Sequence, residues 1–329
     1  MASQYNAETT GSELVTELAP QIKGKVILTT GVSPNSLGAQ FVEIIAAAEP
    51  ALLILTGRNT TKSQQTADAI AKAHPDVKTR VLKLDLGSLA SVREGAAEVN
   101  SWDDVSHVDV LVNNAGIMAV PFALTPDGYE SQYATNHLGH FLFSNLIIGK
   151  LLKSSEPRLV SVSSDAHRFS PVRFEDNDFH GGENYNKWSA YGQSKTANML
   201  MALSLAEKLG KKGLVAVSLH PGVIGTNLGD FVDWTGGDVE LLNSIDRALG
   251  NREAWEDGFK WKTHDQGVAT HVFAAFHPSL KDHNGAYLQD AHVADPWIET
   301  VKPWGTSPVE AERLWKLSEE QVGQEFTYN

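Results

Sequence analysis

The sequence predicts an α/β fold, a doubly wound and mostly parallel sheet with helices on both faces. Two observations carry this. From about residue 24, short apolar runs alternate with amphipathic stretches long enough to be crossover helices. The carboxyl ends of those runs gather Gly, Asn, Asp and Ser, the residues that turn a chain and leave room for a ligand.

Seven strands are predicted, over 25–30, 51–56, 78–84, 108–113, 158–164, 215–220 and 286–289. Between them the spacing predicts helices over 39–48, 63–73, 89–99, 130–152, 190–209 and 264–276. Seven strands covered on both sides describe a Rossmann-like sheet. Two segments break the rhythm. The stretch 165–188 joins a strand to a helix with far more than the usual ~2–6 residues, and 228–262 is rich in Asp, Gly and Trp. A last helix is expected over 307–325, starting at Ser307-Pro308 with Ala311, Leu314, Leu317 and Val322 on its apolar side.

The chain has 329 residues, of which 42% are hydrophobic, enough for a large core in one domain. It has no cysteine, which excludes disulfides, thiolate catalysis and Cys-ligated metals. The first residues are polar and acidic, unlike a signal peptide or presequence, and no run reaches the roughly 18 apolar residues of a membrane span. A cytoplasmic protein is therefore expected. The formal charge of −13 argues against a nucleic-acid partner, so any anionic cofactor must be held by helix N-termini, backbone N–H groups and a few placed cations.

The first strand runs into Thr30-Gly31-Val32-Ser33-Pro34-Asn35-Ser36-Leu37-Gly38 and then a helix. Gly31 permits a tight turn, and Gly38 lets the helix approach the sheet while the N–H groups from Ser36 and Leu37 onward face a pyrophosphate. Arg58 and Asn59 follow the second strand. An acidic residue there would accept from a ribose 2′-OH, whereas arginine pairs with a 2′-phosphate, so NADP(H) is the expected cofactor. Asp85 and Leu86 end the third strand, with Asp85 able to accept from an adenine amino group; Asn114, Ala115 and Gly116 end the fourth, where Gly116 permits close backbone approach.

The fifth run ends at Ser164, and Tyr191-Gly192-Gln193-Ser194-Lys195 follows at the start of a helix. A spacing of four puts Tyr191 and Lys195 on one face. A tyrosine at its ordinary pKa of about 10 is a poor base at neutral pH, but a nearby ammonium lowers it and lets it exchange a proton. Ser164 would hydrogen-bond a substrate oxygen and, with Tyr191, hold a carbonyl carbon where a hydride can reach it.

Through TGVSPNSLG, NNAG, YGQSK, HPGVIGT, Asn136 and Ser164, the chain resembles the short-chain dehydrogenase/reductases over about residues 22–300. LDLGSLASVRE, NHLGHF and YGQSKTANML make it most similar to retinol-dehydrogenase-like and WW-domain-oxidoreductase-like reductases and their fungal relatives. The resemblance implies a tetrad of Asn136, Ser164, Tyr191 and Lys195, with Asn136 anchoring a water in a proton relay from the lysine. It implies that Pro221, Gly222, Val223 and Thr226 meet the nicotinamide amide and the phosphates. It also implies a single domain with extensions at 1–23 and 303–329 and a substrate lid at 228–262. The glycine loop departs from the family's TGxxxGxG: it is one residue longer and has Ser36 where the middle glycine stands, so that either the added Cβ crowds the pyrophosphate or the extra residue redirects the loop and Ser36 donates a hydrogen bond.

The lid offers Leu228, Phe231, Trp234, Leu241, Leu242, Trp255, Phe259 and Trp261, which suits a bulky lipophilic or aromatic carbonyl compound and equally suits packing of the lid onto the core. His137 and His140 lack the further ligands of a metal pair, so a structural role and no metal are expected. The expected function is NADPH-dependent reduction of a ketone or aldehyde with Tyr191 as proton donor. An NADP-dependent alcohol dehydrogenase working oxidatively uses the same residues, and a non-catalytic NADP(H)-binding regulator keeps the fold without the chemistry. Helices 130–152 and 190–209 are a candidate homodimer interface.

Overall fold

A computed structural model describes residues 4–252 and 258–328. Its strands are β1 (Val26–Thr30), β2 (Leu52–Gly57), β3 (Thr79–Lys83), β4 (Val110–Asn113), β5 (Arg158–Val162), β6 (Val215–His220), β7 (Val223–Ile224), β8 (Trp261–Lys262), β9 (Tyr287–Gln289) and β10 (His292–Val293). Its helices are α1 (Gly11–Glu17), α2 (Ala19–Ile22), α3 (Leu37–Ile45), α4 (Thr60–Ala73), α5 (Leu89–Ser101), α6 (Ser131–Tyr133), α7 (Gly139–Leu151), α8 (Lys187–Leu209), α9 (Gly237–Ala248), α10 (His264–Phe276) and α11 (Pro308–Val322).

Eight strands form one sheet in the order β10-β9-β6-β5-β4-β1-β2-β3, all paired in parallel except β9 with β10. The seven expected strands are present. The eighth, β10, is a two-residue edge too short to leave a period in the sequence. Alternation along the strands feeds two cores: Ile27, Leu53, Leu55, Val110 and Val112 meet α3 and α10 on one face, while Leu28, Ile54, Leu111 and Leu159 meet α5, α7 and α8 on the other. Ser36, Asn59, Ser88, Asn186, Thr263 and Ser307 cap α3, α4, α5, α8, α10 and α11 by accepting from first-turn N–H groups, which is why those helices begin where they do.

Three expectations change. The helix expected over 130–152 is broken by a π-helical turn, Ala134–Leu138, between α6 and α7. Because Asn186 supplies the cap, α8 starts at Lys187 and Tyr191 lies in its second turn. Helices α1, α2 and α9 are additional; the first two are seven and four residues long, too short for a clear period, and α9 opens on Gly237 without a side-chain cap. Trp255 lies outside the described residues.

The helix pair expected to form a dimer interface is covered within one chain. Among the residues of α7 and α8, only Gly149 and Glu207 are exposed. Helix α11 lies on α8: Ser204 Oγ donates to Ala311 O at 3.0 Å, and Trp315, 2% exposed, meets Phe141 edge-on with ring centroids 4.9 Å apart. Beyond α11, Tyr328 Oη donates to Asn145 Oδ1 of α7 at 2.5 Å. Apolar surface that this helix pair would offer a second copy is thus covered in part by α11 of the same chain. No helix among the described residues is long and apolar enough to cross a membrane.

Light scattering is expected to give the mass of one chain. Trp315→Ala should cost about 3–5 kcal/mol in urea unfolding, the usual loss for truncating a buried tryptophan; an unchanged midpoint would show that α11 does not hold the helix pair.

Candidate active site

Strand order reverses between β1 and β4, and in parallel sheets the crevice for a ligand opens at the carboxyl ends of such a pair. Here it is a cavity of 810 Å³ running from Arg58 to Trp261. Of the candidate cofactor and tetrad residues, all but Gly38 and Asn136 line it.

Its floor is the loop from β1 to α3. Gly31 has φ +74°, and a Cβ there would stand 2.7 Å from Ala115 Cα. A Cβ on Gly38 would stand 2.4 Å from Gly31 O, so both glycines are required for the loop to close. Asn35, at φ 63°, takes up the extra residue in a left-handed turn. Ser36 does not serve as a free donor to a phosphate: its Oγ donates to Gly31 O and accepts from Ala39 N, both at 3.1 Å. A glycine cradle at a helix N-terminus, closed to any added Cβ, fits the pyrophosphate of a dinucleotide.

The loop after β4 is tied to this floor. Asn114 Nδ2 donates to Thr30 O at 2.9 Å and Gly31 O at 3.2 Å, and the N–H groups of Asn114 and Ala115 both donate to Thr30 Oγ1, at 2.9 and 3.0 Å. Asp85 accepts from Gly87 N at 3.0 Å, a turn contact beside the cavity. Asn59 spends its Oδ1 capping α4, on Lys62 N at 3.2 Å. Lys62, in the first turn of α4, lines the cavity with Arg58, which precedes the Asn59 cap, and sequence reasoning passed over it. Ser33 is a second lining residue it passed over. At the far side Gly222, φ +103°, has Lys262 Cδ 2.6 Å from where a Cβ would lie, and Thr226 Oγ1 accepts from Leu228 N at 3.3 Å.

Tyr191 and Lys195 sit one turn apart on α8 and are buried, 4% and 3% exposed. Lys195 Nζ lies 5.5 Å from the Tyr191 ring centroid and donates to Val162 O at 3.0 Å. Burial pushes Lys195 down to about 7. Burial also pushes the Tyr191 phenol above its ordinary value, countered in part by Ser164. The expected lowering of Tyr191 by its lysine is therefore not what the chain's own groups produce: desolvation dominates, and the phenol is held as an acid. Ser164 Oγ accepts from Ala166 N at 3.1 Å and donates to Asp165 Oδ1 at 3.2 Å.

Asn136 stands behind the cavity wall in the π-helical turn. Its Oδ1 accepts from Ile117 N at 2.8 Å, and its Nδ2 donates to Ile117 O and Ser194 Oγ, both at 2.9 Å, bracing the β4 loop against α8. His140 and His137 are buried, which pushes them down to about 4 and 3. His140 contacts Asn136 O and Thr30 Oγ1, and His137 contacts Ser318 Oγ. Among the described residues no group of three or more His, Asp or Glu is placed to hold a metal.

The other end of the cavity is apolar. Met118, Phe169, Trp188 and Leu242 line it inside, while Phe231, Trp234 and Trp261 are 62%, 39% and 56% exposed at its mouth. Trp234 meets Phe259 and Trp261 edge-on at 5.9 and 5.7 Å. Of the described lid residues singled out in the sequence, Leu241 alone does not line the cavity.

Residues 25–176 match the family profile described as short chain dehydrogenase. The chain is 34% identical over 300 residues to the short-chain dehydrogenase TIC 32 A, chloroplastic, of Brassica napus, covering 89% of this chain and 86% of that protein. It is 34% identical over 311 residues to retinol dehydrogenase 14 of Mus musculus, covering 91% and 86%. It is 37% identical over 308 residues to the short-chain dehydrogenase/reductase prx1 of Penicillium rubens, covering 90% and 84%. A crystal structure of an uncharacterized protein from Mycobacterium Paratuberculosis superposes with a TM-score of 0.66 at 30% identity, covering 94% and 98%. The expected cytoplasmic location is overturned by the first of these relatives, which is named as chloroplastic: a polar first stretch and the lack of cysteine do not assign a compartment.

Folding moves Lys195 from its usual 10.5 down to about 7, so between those values the unfolded chain binds the extra proton and stability rises with pH on this residue's account. Replacing it, as Lys195→Met, should flatten the rise in Tm between about pH 7 and 9. Identical slopes in both proteins would show that the ammonium is not desolvated.

Proposed function

The chain belongs to the short-chain dehydrogenase family of oxidoreductases, and from that premise we propose that it uses NADPH to reduce a bulky lipophilic or aromatic ketone or aldehyde to the alcohol. The observation that carries the reading is the Tyr191 phenol, held protonated by burial and countered by Ser164, where the apolar end of the cavity meets the glycine-lined end. Reduction of a carbonyl needs an acid at that point; oxidation needs a base.

When bound, the nicotinamide supplies the hydride. The chain's own residues do the rest. Ser164 Oγ turns its proton from Asp165 Oδ1 to the carbonyl oxygen and holds that oxygen beside Tyr191. Tyr191 Oη gives its proton to that oxygen as the carbon is reduced, and the resulting phenolate is neutralised from the Lys195 side, where the ammonium stabilises it. Asn136 keeps the β4 loop and α8 in register, so that Gly116 and Lys195 face the same point; a Cβ on Gly116 would lie 3.5 Å from Lys195 Nζ.

Support for NADPH over NADH is the pair of cations, Arg58 and Lys62, at the adenine end of the cavity, with no acidic residue at position 58. Support for a neutral substrate is the carboxylate of Asp165 next to Ser164 and that of Asp230 farther along the cavity. The aromatic mouth fits a lipophilic molecule.

An NADPH-oxidation screen over aromatic ketones, steroid-like ketones, long-chain aldehydes and retinoid-like aldehydes should find turnover. Tyr191→Phe should lose roughly 10²–10⁴ in kcat, the usual worth of a general acid, while still quenching on NADPH. Turnover equal to wild type would end the acid assignment. Combining Arg58→Asp with Lys62→Glu should lower the NADPH-to-NADH ratio of kcat/KM by about 10-fold or more, since hydrogen bonds between charged groups are worth about 1.5–3 kcal/mol. An unchanged ratio would remove the phosphate site.

A further inference from the structure

We propose that Arg168 and Asp246 are positioning residues for Ser164, through a buried ion pair that seats the lid helix on the loop carrying the serine and so fixes where its oxygen lies. The inference rests on the reductase reading of this site and extends it to the lid. Asp246 lies in the last turn of α9 and is 0% exposed; Arg168, in the turn that follows Ser164, is 2% exposed. The guanidinium grips Asp246 with two bonds, Nε to Oδ1 and Nη2 to Oδ2, both 3.0 Å. Its third nitrogen, Nη1, donates to Asp165 Oδ2 at 2.5 Å. The other oxygen of Asp165 accepts from Ser164 Oγ.

A continuous line of charged hydrogen bonds therefore runs from lid helix to serine hydroxyl. Asp165 is held below the usual carboxylate range: burial raises it, but Arg168, His220, His167 and the Ser164 hydroxyl together outweigh that. It thus stays an acceptor: without substrate it takes the Ser164 proton, and a carbonyl oxygen, which only accepts, draws that proton away from it while the serine oxygen stays in place. The Arg168 guanidinium also lies 4.3 Å over the Phe169 ring, which packs in one cluster with Trp188, Tyr191 and Leu242.

The other end of α9 is bonded to the second catalytic element. Trp188 Nε1 donates to Asp238 O at 2.8 Å and Lys187 pairs with Asp238 at 2.5 Å, one turn before Tyr191 on α8. Apolar packing alone would let a lid helix slide; a bidentate guanidinium pair fixes its register, which is the use that best explains burying two charges. The lid helix is thus fastened to both segments that supply reacting groups.

Asp246→Asn keeps the shape and one acceptor while removing the charge. On the substrate found by screening, kcat should fall roughly tenfold or more, as small misplacements of a positioned group do, with the KM for NADPH unchanged. In a Ser164→Ala background the same substitution should give no further fall. An equal fall in both backgrounds, or a lowered Tm with kcat intact, overturns the proposal in favour of a purely structural pair. Hydrogen exchange gives a readout free of turnover: in Asp246→Asn, peptides over 163–170 should exchange faster together with those over 237–248. Loosening confined to 237–248 overturns the link to Ser164 whether or not any carbonyl compound is reduced, whereas a wild-type protein with no turnover counts against the reductase reading alone.

Discussion

Between β1 and β4 the buried hydroxyl of Thr30 joins the two strands on either side of the point where strand order reverses. It is 0% exposed and takes N–H groups from Asn114 and Ala115. His140 Nδ1 faces Asn136 O at 3.0 Å, and a carbonyl only accepts, so the proton of the neutral imidazole is on Nδ1 and Nε2 accepts from Thr30 at 2.9 Å. One donor and two acceptor positions are then filled, which is all that a hydroxyl has. The glycine floor, the β4 loop and the π-helical turn that holds Asn136 all meet at this oxygen. A shift of any one of them leaves a buried polar group unpaired, at a cost of about 1–3 kcal/mol.

The same density of polar contacts explains the electrostatic character of the site. Desolvation keeps His137 and His140 neutral across the physiological range and keeps the Tyr191 phenol protonated. Lys195 is the member of this group brought near neutrality. Exclusion of water thus sets the protonation of Tyr191 more than a neighbouring charge does.

Much of this was legible in residue order. Short continuous apolar runs such as 26–28, 52–55 and 110–112 mark strands because both sheet faces are buried, and the Gly31, Gly38, Ser164, Tyr191 and Lys195 positions follow from turn chemistry and helical spacing. What was not legible depends on contacts far apart in sequence. The break at Ala134–Leu138 is held by Asn136 bonding Ile117 and Ser194, which no local period encodes. The role of Ser36 as a cap rather than a phosphate donor follows from Asn35 entering the left-handed region. Covering of α7 and α8 by α11 needed Trp315 to be seen against Phe141. The pairing of Arg168 with Asp246 spans 78 positions between two segments that looked irregular.

The ribbon of β7 and β8 carries one more consequence. Val223 pairs with Trp261 and Ile224 with Lys262, and neither strand joins the main sheet, so the segment between them leaves the body and returns to it at adjacent points. An insertion closed at its own neck can be lengthened, shortened or exchanged without shifting the register of any strand in the sheet. On the proposed reading, exchange of this one excursion changes the molecule to be transformed while the crevice at the sheet stays as it was, and an engineer can graft the excursion as a unit, provided that its partners Arg168 and Lys187 travel with it.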